Sequence, residues 1–308
     1  MRALLTRVAL LAFALWLIVT IAFLAVYALP GDPARMILGQ RANSETLEAF
    51  RAQAGLNEPL LKQYIKFIRR TATLDFGVSL AQRRPAMELI RERSLVTALL
   101  IACALGVVLL FSFFLPLSLH TLRIDIGVAV LERFWTGLAS VPPYVCAVGA
   151  LVIFAGALRW VPALFDVSKP KSWILPPLVL AAYPTGVVLR LFEQQLQAAL
   201  SSQYSLSARS FGFRHAHILF FEALPNAITP ALAALANGLA FFVTGTFFVE
   251  VAFGIPGLGG LTYEAVRNKD IPVLVAVCIL FAVTITLIST ALDLALILLN
   301  PKLRRKHA

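Results

Sequence analysis

Polar and apolar positions along this chain fall into long blocks rather than alternating. Six charge-free stretches stand out, at residues 8–29, 95–119, 134–158, 173–189, 223–249 and 271–292. Each approaches the roughly 20 residues, within about 17–25, that a helix needs to cross the hydrocarbon core of a bilayer. Lipid offers no partner to an open backbone group, so each stretch is expected to be a helix. The period-two segments of a membrane barrel are absent. Pro116, Pro142, Pro143, Pro176, Pro177 and Pro184 lie in or near the spans and are expected as kinks. The stretch at 8–29 is too long for a cleaved leader and is followed by Leu-Pro-Gly-Asp-Pro, so it is expected to be a retained first helix.

Between the first two spans, residues 30–93 carry a different pattern. Ser44 is expected to cap a short helix with Glu45 and Glu48 in its first turn, ended by Gly55. Asn57, Glu58 and Pro59 open a second helix. Leu60, Leu61, Tyr64, Ile65 and Ile68 recur there at helical spacing, with Lys62, Lys66, Arg69 and Arg70 mostly opposite. This segment reads as a helical cap on the outer rim of the bundle, as a docking platform for an external partner, or as both. The division expected along the chain is 1–29 (end and first span), 30–93 (external segment), 94–298 (five-helix core) and 299–308 (tail).

Composition agrees with lipid as the solvent. Of 308 residues, 59% are hydrophobic and 14% charged, with a mean hydropathy of +0.83. One water-soluble core cannot hide that much apolar surface, which excludes a disordered chain and argues against a soluble enzyme. The net charge of +11 is scattered through loops and does not form a nucleic-acid surface. It bears on topology instead. With the N-terminus inside, the inner segments carry eleven Lys and Arg and the two short outer loops five, leaving eleven in the long segment, which translocates largely regardless of charge. Both termini are therefore expected in the cytoplasm. Cys103, Cys146 and Cys278 lie in apolar runs and are expected as small buried hydrophobes, not disulfides.

Catalytic signatures are missing: no phosphate-binding G-x-x-x-x-G-K-[ST], no H-E-x-x-H, no C-x-x-C and no G-x-S-x-G occurs. His215 and His217 are two apart, which puts them on different helix faces and argues against a metal pair. Arg190, Glu193, Glu222, Glu250 and Asp293 border the spans. Glu250 fits either the outer mouth of a solute path or an interfacial carboxylate, and Asp293 an inner-interface anchor. The loop from Arg190 to Glu222 is the strongest functional candidate. Phe211 and Phe213, flanked by Arg209 and Arg214, suit a helix set into another protein's groove. Alternatively the rings fold back into the membrane surface.

Taken together, these residues resemble the inner-membrane permeases of binding-protein-dependent ABC importers. They are most similar to the dipeptide, oligopeptide and nickel group, first of the paired permeases. The resemblance rests on Leu29-Pro30-Gly31-Asp32-Pro33, Gly55-Leu56-Asn57-Glu58-Pro59-Leu60 with Gln63-Tyr64, Leu74-Asp75-Phe76-Gly77-Val78-Ser79, and Arg93 with Thr97. It continues through Ala208-Arg209 before Gly212, Glu222-Ala223-Leu224-Pro225-Asn226-Ala227, Pro256-Gly257-Leu258-Gly259, Lys269-Asp270-Ile271-Pro272-Val273 and Asn300-Pro301-Lys302-Leu303-Arg304. Ser210 and Phe211 replace the family's usual small residue and lysine, Gly260 a frequent basic residue, and Asn300 a common aspartate. They mark a divergent branch.

The resemblance implies an all-α, six-span, type I (MetI-like) permease fold in a bacterial inner membrane. It implies an ATPase-coupling loop at Ala208, Arg209, Ser210, Phe211, Gly212, Phe213 and Arg214. Binding-protein contacts are expected at Tyr64, Pro256, Gly257 and Asp270, and Glu250, read from its place between charge-free runs, is the candidate path residue. The implied partners are a second homologous permease, two ATP-binding subunits that hold ATP and magnesium, and an extracytoplasmic binding protein. No cofactor, metal or catalytic residue is expected in this chain. The solute would be a short peptide or, alternatively, nickel, a metal chelate, an opine or a glutathione-like compound. A channel lacks support because no selectivity ring or pore repeat occurs. An intramembrane enzyme lacks a titratable cluster within the spans, and a secondary transporter would be longer and internally repeated.

Overall fold

The computed structural model describes residues 2–28, 43–54 and 57–299. The Leu29–Pro33 signature, Gly55, Leu56, the Asn300–Arg304 signature and the basic tail fall outside the described residues, as does the side chain of Asp293. Among the described residues the chain is helical nearly throughout, and its one extended pairing is an isolated bridge between Val78 and Pro85. The helices are α1 (Arg2–Ala28), α2 (Ser44–Ala54), α3 (Leu60–Ala72), α4 (Ala86–Thr121), α5 (Asp125–Ala139) and α6 (Pro143–Ala157). They continue as α7 (Leu175–Leu200), α8 (Gln203–Ser210), α9 (His215–Phe253), α10 (Leu258–Arg267) and α11 (Ile271–Leu299).

The apolar blocks became helices, with ends set by turn chemistry and not by where charge resumes. α4 begins nine residues before its charge-free stretch, α7 runs on past Arg190 and Glu193, and α9 starts eight residues early at His215. The expected loop from Arg190 to Glu222 therefore shrinks to α8 and two short links. Residues 125–133, which lie between the second and third charge-free stretches, form the first turns of α5. Asn43, not Ser44, caps α2, its Oδ1 accepting from the Thr46 N–H at 2.8 Å.

The third expected span is not one helix. α5 and α6 meet at 108° across Ser140–Pro142. Pro142 and Pro143 supply no N–H to continue the ladder, and a residue before proline is pushed out of the α region. Pro142 is extended, with φ −53° and ψ 140°. Elsewhere prolines are absorbed. Wide π-helical turns at Leu110–Phe114 and Ile218–Ala223 end within two residues of Pro116 and Pro225, where the i−4 carbonyl loses its donor. By length and composition α4, α9, α11 and the helix Pro170–Leu200 are able to cross a membrane, and α5 with α6 forms one bent pair.

Two compact units divide the contacts. Val96–Ile255 forms one, and the chain up to Leu95 together with the chain from Pro256 forms the other. In the first, α7 is the central helix. Its Leu180, Val188, Phe192 and Leu196 are buried against Leu100, Ala104 and Val108 of α4 and Ala227, Ala231 and Phe242 of α9. Phe113 meets the Phe192 ring edge-on at 5.1 Å. Gly186 allows α7 to touch α5 backbone to backbone: a Cβ there would lie 2.6 Å from the Trp135 carbonyl oxygen. In the second unit, Ala86, Leu89 and Ile90 at the start of α4 pack against Leu258, Leu261 and Ala265 of α10 and Val273, Ala276 and Val277 of α11. The cysteines correct an expectation: Cys103 and Cys278 are exposed on apolar helices, not buried, and all three are free thiols.

Candidate functional site

The corner between α7 and α9 is built as a rigid outward projection. α7 ends at Leu200, and Ser202 starts α8 by accepting from the Ser205 N–H at 3.5 Å. Ser205, fully buried, ties back by donating its hydroxyl to the Ala199 carbonyl at 2.7 Å. Ala208 is buried on the same face. α8 then closes on a left-handed glycine. Gly212 has φ +82°, its N–H donates to the Arg209 carbonyl at 3.0 Å, and the Phe213 N–H donates to the Ala208 carbonyl at 3.2 Å. This paired bonding is the Schellman stop, which an L side chain resists at the left-handed position. A Cβ on Gly212 would meet no atom within 4 Å, so the requirement is backbone conformation, with open space beyond it.

What this corner displays is aromatic. Phe211 is 82% exposed and Phe213 50% exposed. Phe213 stacks on the His217 ring at 4.7 Å, and His217 lies 4.9 Å from the Phe221 ring, itself exposed. His217 and Phe221, four residues apart, share a face of α9, and Phe213, two residues before the helix, extends that row by stacking on His217. Arg209 reaches the Leu200 carbonyl at 3.4 Å, and Ser210 donates to the Ser207 carbonyl at 2.7 Å. Arg214 is extended just before α9.

Beneath the corner lies a polar contact that the sequence reading did not single out. His120, near the end of α4, bonds Glu193 of α7 at 2.9 Å, with the two side chains 9% and 1% exposed. His215, at the first turn of α9, directs Nε2 to the His120 carbonyl at 3.2 Å. The residues join three helices where α8 attaches. A cavity of about 480 Å3 opens beside them, lined by His120, Asp125, Glu132, Gln197, Arg209 and His215. The signals in the sequence are Glu193, a charge bordering a span, and a lone histidine closing an otherwise charge-free run three elements before it.

Glu250 is fully buried within the Val96–Ile255 unit, and Thr97 of α4 donates to its Oε1 at 2.6 Å. It therefore does not sit as a carboxylate exposed at an interface. The other expected site residues lie in the second unit. Tyr64 packs on Phe23 at 5.3 Å and shares a 2.7 Å hydrogen bond with Thr20. Pro256 is half-buried and Gly257 buried. Asp270 is buried at the α10–α11 turn and accepts from the Ser79 hydroxyl and from the N–H groups of Leu80 at 3.2 Å and Ala81 at 3.3 Å. Two signatures 191 positions apart, one ending at Ser79 and one containing Asp270, thus close on each other. Among the described residues no group of three or more His, Cys, Asp and Glu could hold a metal ion.

Comparison with known proteins agrees along the length of the chain. Residues 126–305 match the family described as binding-protein-dependent transport system inner membrane component. Residues 1–101 match the N-terminal family of the same transport-system membrane component. The glutathione transport system permease protein GsiC of Salmonella paratyphi A is 31% identical over 302 residues, 95% of each chain. Its counterpart in Escherichia coli K12 is 29% identical over 301 residues, again 95% of each.

Proposed function

The chain belongs to the family of inner-membrane components of binding-protein-dependent transport systems, and on that premise we propose that it forms half of a peptide-type translocation path, closed by a second homologous permease. The chain is a permease of an ABC importer. In this reading it hydrolyses nothing: two partner subunits bind ATP and magnesium, and an extracytoplasmic binding protein delivers the solute. Both termini lie in the cytoplasm. The solute is a small peptide-like compound. Glutathione is the first to try, because it is what the relatives' names carry over 95% of their length.

One observation carries the coupling assignment: Phe211 and Phe213 stand exposed on a corner that the Gly212 stop holds rigidly between the two most extensively packed helices, α7 and α9. Ser205 and His215 brace it from behind. A partner ATPase that grips residues 208–214 moves α7 and α9 with them. When ATP draws the two ATPase subunits together, the paired permeases open outward. Hydrolysis resets them. This is a two-state element biased by a ligand with different affinity for each state. Glu250, enclosed with Thr97 inside the unit, is left out of the path in this reading and holds α9 to α4.

The test is reconstitution. The complete complex with its binding protein takes up labelled glutathione or dipeptide in an ATP-dependent manner, and the chain alone does not. Transport by the chain alone overturns the reading. In a background without native cysteines, Phe211→Cys and Phe213→Cys are labelled freely in the chain alone and become protected when the ATPase is present. Equal labelling in both states removes the coupling assignment.

A further inference from the structure

The helix α3 carries an apolar stripe that the rest of its unit leaves open. Tyr64 and Phe67 pack on Phe23 of α1, with ring centroids 5.3 and 5.5 Å apart, and the Tyr64 hydroxyl bonds Thr20. Thr20 and Phe23 lie within the apolar run Ala9–Ala25 of α1, so α3 is strapped alongside a membrane-type helix. Leu61, Ile65 and Ile68 recur at i, i+4 and i+7 on an adjacent stripe. No residue of α3 is buried, and Leu60, Leu61 and Ile65 are 61%, 68% and 58% exposed.

The charges of α3 divide by position. Lys66 pairs with Glu58 at 2.7 Å, and Arg70 with Asp75 at 2.9 Å. Lys62 and Arg69 have no acidic partner among the described residues. These two stand three residues before and four residues after Ile65, and so both line one edge of the open stripe, the edge away from Tyr64. The cations that border the apolar stripe are thus the ones without a carboxylate, and those turned from it are paired.

We propose that α3 lies in the bilayer interface, with Leu61, Ile65 and Ile68 among acyl chains and Lys62 and Arg69 on the phosphates of anionic phospholipid. An apolar stripe edged by unpaired bases is the pattern that binds such a surface, and each base near anionic headgroups adds to the attraction. Long basic side chains beside an apolar stripe reach the headgroups while their stems stay in the apolar layer. This requires only that the chain is a membrane protein, and it stands whichever solute the importer carries.

The experiment uses the complete importer in nanodiscs of phosphatidylcholine, with and without phosphatidylglycerol. The native cysteines are replaced, and one spin label at a time is placed through Leu61→Cys, Ile65→Cys or Lys66→Cys. Labels at 61 and 65 should favour collision with oxygen over a water-soluble nickel chelate at least about threefold more than the label at 66. Phosphatidylglycerol should deepen the label at 65, and the double change Lys62→Gln with Arg69→Gln should abolish that lipid dependence while leaving the label in the bilayer. A label at 65 as accessible to water as the one at 66 overturns the proposal. So does shielding of 65 from both reagents only when the binding protein is added, which would make the stripe a protein contact. An unchanged depth with phosphatidylglycerol overturns the assignment of Lys62 and Arg69.

Discussion

Two short links between helices, the α8 corner and the turn at Asp270, look alike as sequence and are opposite as structures. The corner around Gly212 satisfies its backbone and leaves its large side chains, Phe211 and Phe213, in the open. The turn at Asp270 does the reverse. It buries its one carboxylate and spends all the polar capacity on the chain itself, through Ser79, Leu80 and Ala81. Each link sits in a different compact unit. A link that presents apolar rings on a rigid backbone suits a partner; a link that consumes its own charge suits a clasp. Polar character in the sequence does not separate these roles, because what matters is whether the polar atoms face the chain or leave it.

The largest expected effect tests what supports the corner. His120→Ala leaves Glu193 buried without its described partner, and should lower the stability of the purified complex by about 3–5 kcal/mol in thermal unfolding. Adding Glu193→Leu should recover most of that loss, because the stranded carboxylate goes too. Equal losses in the single and double variants would make the contact incidental. Next comes the corner itself. Gly212→Arg should cut uptake by about a hundredfold while costing the isolated chain only about 1 kcal/mol, the strain of an L residue at φ +82°, since the side chain itself opens onto free space. Retained solute-stimulated ATP hydrolysis would mean that partners do not grip this loop.

The clasp should respond in stability and not in coupling. Asp270→Ala strands the Ser79 hydroxyl and two N–H groups, at a cost of about 1–3 kcal/mol, with the ratio of ATP hydrolysed to solute moved unchanged. A changed ratio with unchanged melting would reverse the contrast drawn between the links. The smallest effect lies at the surface near the clasp. The Arg70 guanidinium beside Asp75 holds that carboxyl below its ordinary value. Its stabilisation is therefore present above the ordinary carboxylate range and is lost as pH falls through the lower folded value. Both groups are more than half exposed, so the loss should be about 0.5 kcal/mol or less, and Arg70→Gln should flatten it in acid-titrated melting curves.

Much of the molecule was legible because its forces are local or one-dimensional. Among the described residues the charge-free blocks became helix, the third as two pieces, since any chain segment in lipid must satisfy its own backbone. The prominence of Phe211 and Phe213 was legible too, because two aromatic rings between bases outside any apolar block are costly unless covered. The break at Pro142–Pro143 is readable in principle, although a single proline in a span predicts no more than a kink. Adjacent prolines remove two donors in succession, and across the break only the weak Cys146 thiol reaches back, to the Leu138 and Val141 carbonyls at 3.8 and 3.7 Å, among the described residues. Ser44 lost the cap to Asn43 by one register position, which side-chain reach alone decides.

The helical character, the membrane as solvent and the approximate place of the corner follow from the order of residues, because hydropathy and backbone satisfaction act along the chain. The contacts of Glu193 with His120, Glu250 with Thr97, and Asp270 with Ser79 do not. They join residues 73, 153 and 191 positions apart. A buried carboxylate takes whichever donor the packing of helices brings within about 3 Å, and hydrogen bonding is too short-ranged to leave a trace in spacing. Which polar residues stayed on the surface and which were enclosed was settled by helix packing alone.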